Sequence, residues 1–406
     1  MESGALSGVR VLDLTHGIAG PFAARLLGDF GADVIKVEKP VTGDFGRTLE
    51  PLQPGVDPPE QSLLFQYLNW NKRSVCLDLS NPASLPVVEA LVRRSDIVIE
   101  SFRPGVMEGW GLSAEQMLAW NPKVVVTSIS NFGQTGPYAQ FAASDLVLQA
   151  MGGIMSISGQ MDREPLKHGL NQSLFCAGLN AAYITMAMYV SAQNDGFGEH
   201  IDVSIQECMA SELVLNVPFY AFMGVVQGRR AAVQDPFLGE PIATHHGYLT
   251  MQTGGGASIE TYAEMFGREE FLSPDITVAA RREANAPEVR QLLESCLRDR
   301  DAKSVFLEGA SKRLLLGVVQ NAQDLLSCEH LASRDFFRKI DHPDTGEHIF
   351  PTELVKLSAT PMSVRRPAPR LDQHRREILV DWLGLPEAMV DALAQHATTD
   401  EVKSHE

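Results

Sequence analysis

Over the first 130 residues, short apolar runs alternate with stretches whose apolar positions recur at helical spacing. VRVLDL (9–14), DVIKVE (33–38), SVCLDL (74–79), DIVIES (96–101) and KVVVTSIS (123–130) read as buried strands. PFAARLLGDFG (21–31) opens with a proline at a first helical position and ends in glycine, and NPASLPVVEALVRRSD (81–96) and SAEQMLAWNP (113–122) carry caps and a 3.6-residue period. Strand and helix in alternation imply right-handed crossovers and a parallel sheet covered on both faces. The expected fold class is α/β, with a doubly wound large domain.

The pattern changes near residue 145. LVLQAMGGIMSISG, SLFCAGLNAAYITMAMYVSAQ and IQECMASELVLNVPFYAFM read as long helices, with a short strand IDVS (201–204) before the last. Residues 224–244 read as a Gly-, Pro- and Arg-containing linker, and 245–340 as a smaller α/β or α+β unit with a strand at 247–253 and the loop Gly254-Gly255-Gly256. A strand-like ELVKLS (353–358), a Pro-Arg stretch and a terminal amphipathic helix follow. The expected division is 1–223, 224–340 and 341–406, the last segment returning to the large domain.

Composition narrows the function. With 34 Lys+Arg against 51 Asp+Glu the net charge is −17, and no basic cluster stands out as a footprint for nucleic acid or an anionic membrane. No basic stretch followed by an apolar run marks an export signal, and no membrane span is expected. The five cysteines (Cys76, Cys176, Cys208, Cys296 and Cys328) are widely spaced and lack CxxC pairing, which suits reduced thiols in a cytoplasmic protein and disfavours a structural zinc; no metal is expected.

Familiar catalytic signatures are missing. GIAGPFAARLLG (17–28) follows a strand and opens a helix but is not GxGxxG, and no GxxxxGK[ST], HExxH or GxSxG occurs. Phosphate binding at that helix N-terminus is physically reasonable. His245 and His246 are adjacent, a spacing that does not place both on one face. Cys176, on an apolar helix, reads as inert core.

Resemblance goes further. LSGVRVLDLTHGIAGPFAARLLGDFGADVIKVEKPVTGD, NWNKRSVCLDL, IVIESFRPGVMEGWGL, SISNFGQTGPYA, SDLVLQAMGGIMSISG, GFGEHIDVSIQE, TGGGAS and LSATPMSVRRPAPRLDQH, in this order along nearly the whole chain, resemble the class III CoA-transferases, the carnitine dehydratase/bile-acid-inducible and formyl-CoA transferase family. The resemblance implies a Rossmann-like large domain, a smaller domain and an interlocked dimer. It also implies coenzyme A or acyl-CoA as substrate, with no covalently bound cofactor, and a carboxylic acid as acceptor. By motif position the CoA would lie against His16, Gly17, Ile18, Ala19, Lys39, Asn71, Lys72, Arg73, Leu77, Ser101, Phe102, Arg103 and Val106, with Ser101 where the family commonly carries Asn. Lys39, Lys72, Arg73 and Arg103 would gather into a local positive crevice on an acidic protein. The Gly254-Gly255-Gly256 loop would close over the active site.

The departure lies at the nucleophile. The family's attacking aspartate stands four residues before a glycine and thirty before the serine of a V-x-V-S strand; counting from Gly178 and from Ser204 reaches Leu174 both times. Its neighbours Gln172, Ser173 and Phe175 carry no carboxylate, and the racemase branch's His-Asp pair is replaced by Ser144-Asp145. Asp145, Asp162, Glu164 and Glu207 are substitute carboxylates, of which Asp145 and Glu207 suit supporting roles. Phe141, Met151, Met155 and Phe175 could line an acid site, although such residues are more often core. The preferred expectation is a CoA-transferase subunit without its own nucleophile, donating or accepting CoA from a thioester such as succinyl-CoA in a hetero-oligomer with a homologous Asp-bearing subunit. A family member of aromatic degradation, built from two different chains, has a non-catalytic subunit that this sequence resembles. A homodimeric CoA-dependent enzyme without an aspartyl intermediate and a non-enzymatic acyl-CoA binding protein are the competing readings.

Overall fold

The apolar runs of the N-terminal half pair into one six-stranded parallel sheet made of β1 (Arg10–Leu14), β2 (Asp33–Glu38), β3 (Lys72–Cys76), β4 (Ile97–Glu100), β5 (Val125–Ser130) and β6 (His200–Ser204), in the order β3-β2-β1-β4-β5-β6. The computed structural model describes residues 4–229, 235–237, 240–254 and 256–391. These fall into two compact units, one drawn from segments 1–154, 167–215 and 335–406, the other from 155–166 and 216–334.

Strand alternation sorts the first unit's core into two layers. Val11, Val34, Ile97, Ile99, Val125 and Ile129 face α1 (Ala19–Asp29) and α7 (Gln172–Asp195), and Leu12, Leu14, Ile35, Val37, Val98 and Val126 face α3 (Leu85–Arg94), α5 (Ala114–Trp120) and the C-terminal stretch around Ile378 and Leu379. Both faces of the sheet are therefore covered, which is why its strands read as continuous apolar runs. α2 (Leu63–Asn69), α4 (Val106–Gly109), α6 (Asp145–Met151) and α8 (Ile205–Ser211) are further helices of this unit.

Segment 361–375 finishes the β3 edge. His374 N donates to Ser74 O (2.9 Å), Cys76 N to Asp372 Oδ1 (2.7 Å), and Arg365 reaches the carbonyls of Gly28, Gly31 and Ala32. The backbone groups that an edge strand would leave open are taken up within the chain. The expected strand at 353–358 is irregular backbone, and the pairing that the pattern missed is the antiparallel hairpin β10 (Phe337–His342) and β11 (Gly346–Pro351). The hairpin's charged, half-exposed residues carry no apolar alternation, so it left no periodic signal.

In the second unit, β7 (Ile242–Ala243), β8 (Tyr248–Gln252) and β9 (Leu315–Val318) form an antiparallel sheet over a core that includes Phe237, Tyr262, Phe271 and Leu293. Part of the expected linker is structural: Asp235 and Phe237 are buried, and Arg282 grips the Asp235 carboxylate with two bonds of 2.9 and 2.7 Å. The single helix expected over 205–223 is broken into α8 and α9 (Asn216–Met223), a restart that places Pro218 in a first turn where its missing N–H costs nothing.

Candidate active-site cleft

In a sheet of this order the chain reverses direction between β1 and β4, and the loops leaving their carboxyl ends diverge to leave a crevice. A cleft of about 590 Å³ lies there. His16, Ile18 and Ala19 after β1, Ser101, Phe102, Arg103 and Val106 after β4, and Leu174 at the start of α7 all line it. Seven of the expected CoA contacts thus meet Leu174, where the resemblance would place a nucleophile, in one cavity.

The turn after β1 is held from below. Gly17 has φ +78°, and a Cβ there would meet the Phe45 ring at 2.4 Å. Its N–H donates to Asp44 Oδ1 (2.8 Å), which also accepts from Gly46 N (2.8 Å). Lys36, fully buried, ties Asp44 Oδ2 (2.9 Å) to the Thr15 carbonyl (2.8 Å). Above the turn, His16 N donates to Ser101 Oγ (3.0 Å), so this serine clasps the two loops together. The His16 ring packs between Phe45 and Phe102 (centroids at 5.4 and 5.0 Å), and burial pushes its pKa below the ordinary histidine value, so a neutral imidazole faces the cleft at pH 7.

Asn71, Lys72, Arg73 and Leu77 do not reach this cavity, and here the sequence expectation needs correction. Asn71, Lys72 and Arg73 sit at the amino end of β3, opposite the carboxyl edge where the cleft opens. Lys72 is fully buried, and its Nζ donates to Asp13 Oδ2 (2.8 Å), Pro21 O (2.9 Å) and Asn69 Oδ1 (2.9 Å), which uses all three donors. Arg73 is paired with Asp33 (2.6 Å) and Glu377 (3.0 Å). Asn71 binds Asp29, the Ser363 carbonyl and the Arg365 amide, fastening the C-terminal segment, and Leu77 is core. Lys39 is exposed after β2, off the cleft wall. The crevice of four cations therefore reduces to Arg103, exposed and without an ion pair among the described residues, beside the amino end of α1.

Beside Leu174 the carboxylate of Asp145 is fully engaged. Asp145 also lines the cleft; its Oδ1 accepts from Ser173 N (3.1 Å) and Ser173 Oγ (2.7 Å), and its Oδ2 from Gln149 Nε2 (2.8 Å) and Lys167 Nζ (2.9 Å). Asp145 thus caps α7 instead of replacing the nucleophile, because attack on a thioester would require giving up those bonds. Phe141 lines the cleft, whereas Phe175 turns inward onto Phe22 (5.1 Å), Met151 is exposed off the wall, and Met155 belongs to the second unit. Glu207 is exposed on α8, and Asp162 and Glu164 are exposed in the second unit. Gly254 and Gly256 flank a tight turn of that unit, closed by reciprocal bonds between Gly254 and Ala257 (3.0 Å each); Gly255 lies outside the described residues. Sequence reasoning missed Phe45, Trp110, Ser130 and Ile205 on the cleft wall, although Ser130 ends the SIS run of β5.

Beside the β4 loop, Glu100 accepts from Phe102 N (2.7 Å); burial raises its pKa to about 7 against these favourable bonds. The folded chain then binds more protons than the unfolded one between pH 4.5 and 7, so this group's contribution to stability falls as pH rises through that window and stays low above it. Glu100→Gln, which keeps an acceptor for Phe102 N, is expected to raise stability at pH 8 by about 1–3 kcal/mol and to leave pH 4 unchanged. Thermal denaturation at both pH values checks this; an equal shift at pH 4 and pH 8 would refute it.

The chain matches the model of CoA-transferase family III over residues 6–375. It is 32% identical to the succinyl-CoA–D-citramalate CoA-transferase of Chloroflexus aurantiacus, over 94% of this chain and 95% of that one. It is 30% identical to the alpha and beta subunits of the succinyl-CoA–L-malate CoA-transferase of the same organism, covering 94% and 96% of this chain and 84% and 96% of theirs. Its fold superimposes on the crystal structure of a CAIB/BAIF family protein from Brucella suis with a TM-score of 0.83 at 28% identity, covering 93% of this chain and 99% of that one. The chain belongs to CoA-transferase family III, whose substrates are CoA thioesters and which needs no separate cofactor.

Proposed function

We propose that this chain is the supporting subunit of a CoA-transferase, binding CoA through the β1–β4 cleft while a homologous chain supplies the nucleophilic aspartate. Leu174 in an otherwise assembled cleft carries the reading. The loops that would hold CoA are built and braced, yet the one side chain that would form the acyl intermediate is a hydrocarbon. Among relatives, the malate enzyme's name records two subunits, which makes a division of labour within this family physically available.

The surface supports a second chain. α7 buries one face on α1 and β5, with Thr185 Oγ1 2.7 Å from Thr127 Oγ1, and its 24 residues are long and apolar enough to cross a membrane by length and composition. Its other face leaves Leu179, Tyr183 and Val190 more than half exposed. None of the residues of α9 (NVPFYAFM) is buried, and Phe222 is 89% exposed. Apolar surface of this kind marks an interface. An interlocked dimer with an Asp-bearing homologue covers it, in a cytoplasmic enzyme moving CoA between an acyl-CoA such as succinyl-CoA and a carboxylic acid.

Expression alone and with an Asp-bearing family III chain tests the proposal. Alone, the protein is expected to show no CoA transfer; the co-purified pair is expected to be active, and to lose activity when the partner's aspartate is replaced by alanine. Robust transfer by the pure chain would overturn the subunit role.

A further inference from the structure

One buried polar group on the cleft wall has no bond within the chain. Ser130 ends β5 and lines the cleft; it is 6% exposed, and its buried Oγ has no hydrogen-bond partner among the described residues. The serines around it are committed: Ser128 Oγ lies 2.9 Å from His200 Nε2, and Ser204 Oγ, opposite Ser130 on β6, accepts from Glu207 N (3.2 Å) to cap α8. Asn131 and Ser144 share the wall but are half-buried and exposed, so water reaches them without help from a ligand. A hydroxyl buried without a partner costs free energy, and a pocket that keeps one holds a ready donor for a ligand's acceptor atom.

Its place in the sheet indicates which atom that is. The β1 and β4 loops lie at the switch point, β5 follows β4 in the sheet, and α7 packs over β5 with Thr185 beside Thr127. A CoA thioester held by the β1 and β4 loops, with its sulfur end toward Leu174 on α7, therefore crosses the end of β5. Much of the lining there is hydrocarbon, from Ile129, Leu148, Leu174 and Ile205, and the Asp145 carboxylate can only accept. A thioester carbonyl oxygen buried against that wall needs a donor.

We infer that Ser130 Oγ donates to the thioester carbonyl oxygen of a bound acyl-CoA, so that this chain's cleft distinguishes a thioester from a thioether of CoA, whatever the acyl chain. The inference rests on the proposed reading of the cleft as a CoA site.

Acetyl-CoA and S-ethyl-CoA make the decisive pair, because each carries two carbons on sulfur and they differ in the carbonyl oxygen. Calorimetric titration of the full-length chain, in the assembly in which it purifies, is expected to show acetyl-CoA binding about five- to tenfold more tightly than S-ethyl-CoA. Ser130→Ala is expected to bring that ratio close to one, to leave the affinity for free CoA unchanged, and to unfold without ligand at or above the wild-type midpoint, since no bond within the chain is lost. In a mixed assembly the change between wild type and variant isolates this chain's cleft. Equal binding of the two probes by the wild type, or a ratio that Ser130→Ala does not alter, would overturn the assignment while the CoA site stands. An equal loss of affinity for free CoA and acetyl-CoA would do the same, by placing the hydroxyl on the body of CoA. A variant that unfolds early or does not fold would show the hydroxyl to be bonded within the chain and so refute it too. If neither free CoA nor acetyl-CoA binds the wild type, the CoA reading itself fails, and the role of Ser130 with it.

Discussion

Lys72→Met is expected to lower unfolding free energy by about 3–5 kcal/mol, the cost of leaving a buried charge without its partner. The ammonium lies between Asp13 (2.8 Å), Pro21 O and Asn69 Oδ1, and its removal strands an acceptor on each of three elements. Asp13 has no exposure at all; burial opposes its charge, but Lys36 and Lys72 and bonds from Lys72 and Thr15 outweigh that and hold its pKa at about 2. In the variant Lys36, 3.9 Å from Asp13 Oδ2, is the cation left beside this buried carboxylate. Combining Lys72→Met with Asp13→Asn should cost less than the sum of the single changes, since the double variant leaves no unpaired charge. Urea denaturation of the four proteins measures this. A Lys72→Met protein with wild-type stability but a weakened affinity for CoA would restore the discarded view of Lys72 as a phosphate contact.

That reversal shows where the sequence was legible and where it was not. The sheet was readable because each of its strands is buried on both faces, so periodicity and burial report the same fact. The loops at the switch point were readable too, through motif position, and His16, Ile18, Ala19, Ser101, Phe102, Arg103 and Val106 fall together on the cleft. A charge is different, because a motif lysine looks alike whether it points to solvent, to a ligand or into the core. What separates these cases for Lys72 is an aspartate 59 residues away and an asparagine three residues away, contacts that exist only once β1, α2 and β3 are assembled. Arg73 was hidden in the same manner by Glu377, 304 residues distant. That residue 174 carries no carboxylate is visible at a single position, whereas a satisfied charge is recognised only with its partners.

Gly178→Val is expected to destabilise the chain by about 3 kcal/mol and to weaken CoA binding along with it. A Cβ at this position would stand 2.6 Å from the Ala19 carbonyl oxygen and 3.0 Å from Phe22 Cδ1, so α7 and α1 cannot both keep their places. The glycine costs α7 about 1 kcal/mol of helix propensity, which indicates that close approach is worth more than that. Its spacing explains the gain. Residues 174 and 178 are one turn apart on the same face of α7, and Ala19, whose carbonyl Gly178 touches, lines the cleft beside Leu174. The contact at Gly178 therefore sets how far residue 174 reaches into the cleft. Denaturation midpoints and CoA titrations of Gly178→Ala and Gly178→Val should worsen in that order; a Gly178→Val protein that unfolds at the wild-type midpoint would show that the two helices are not in contact there.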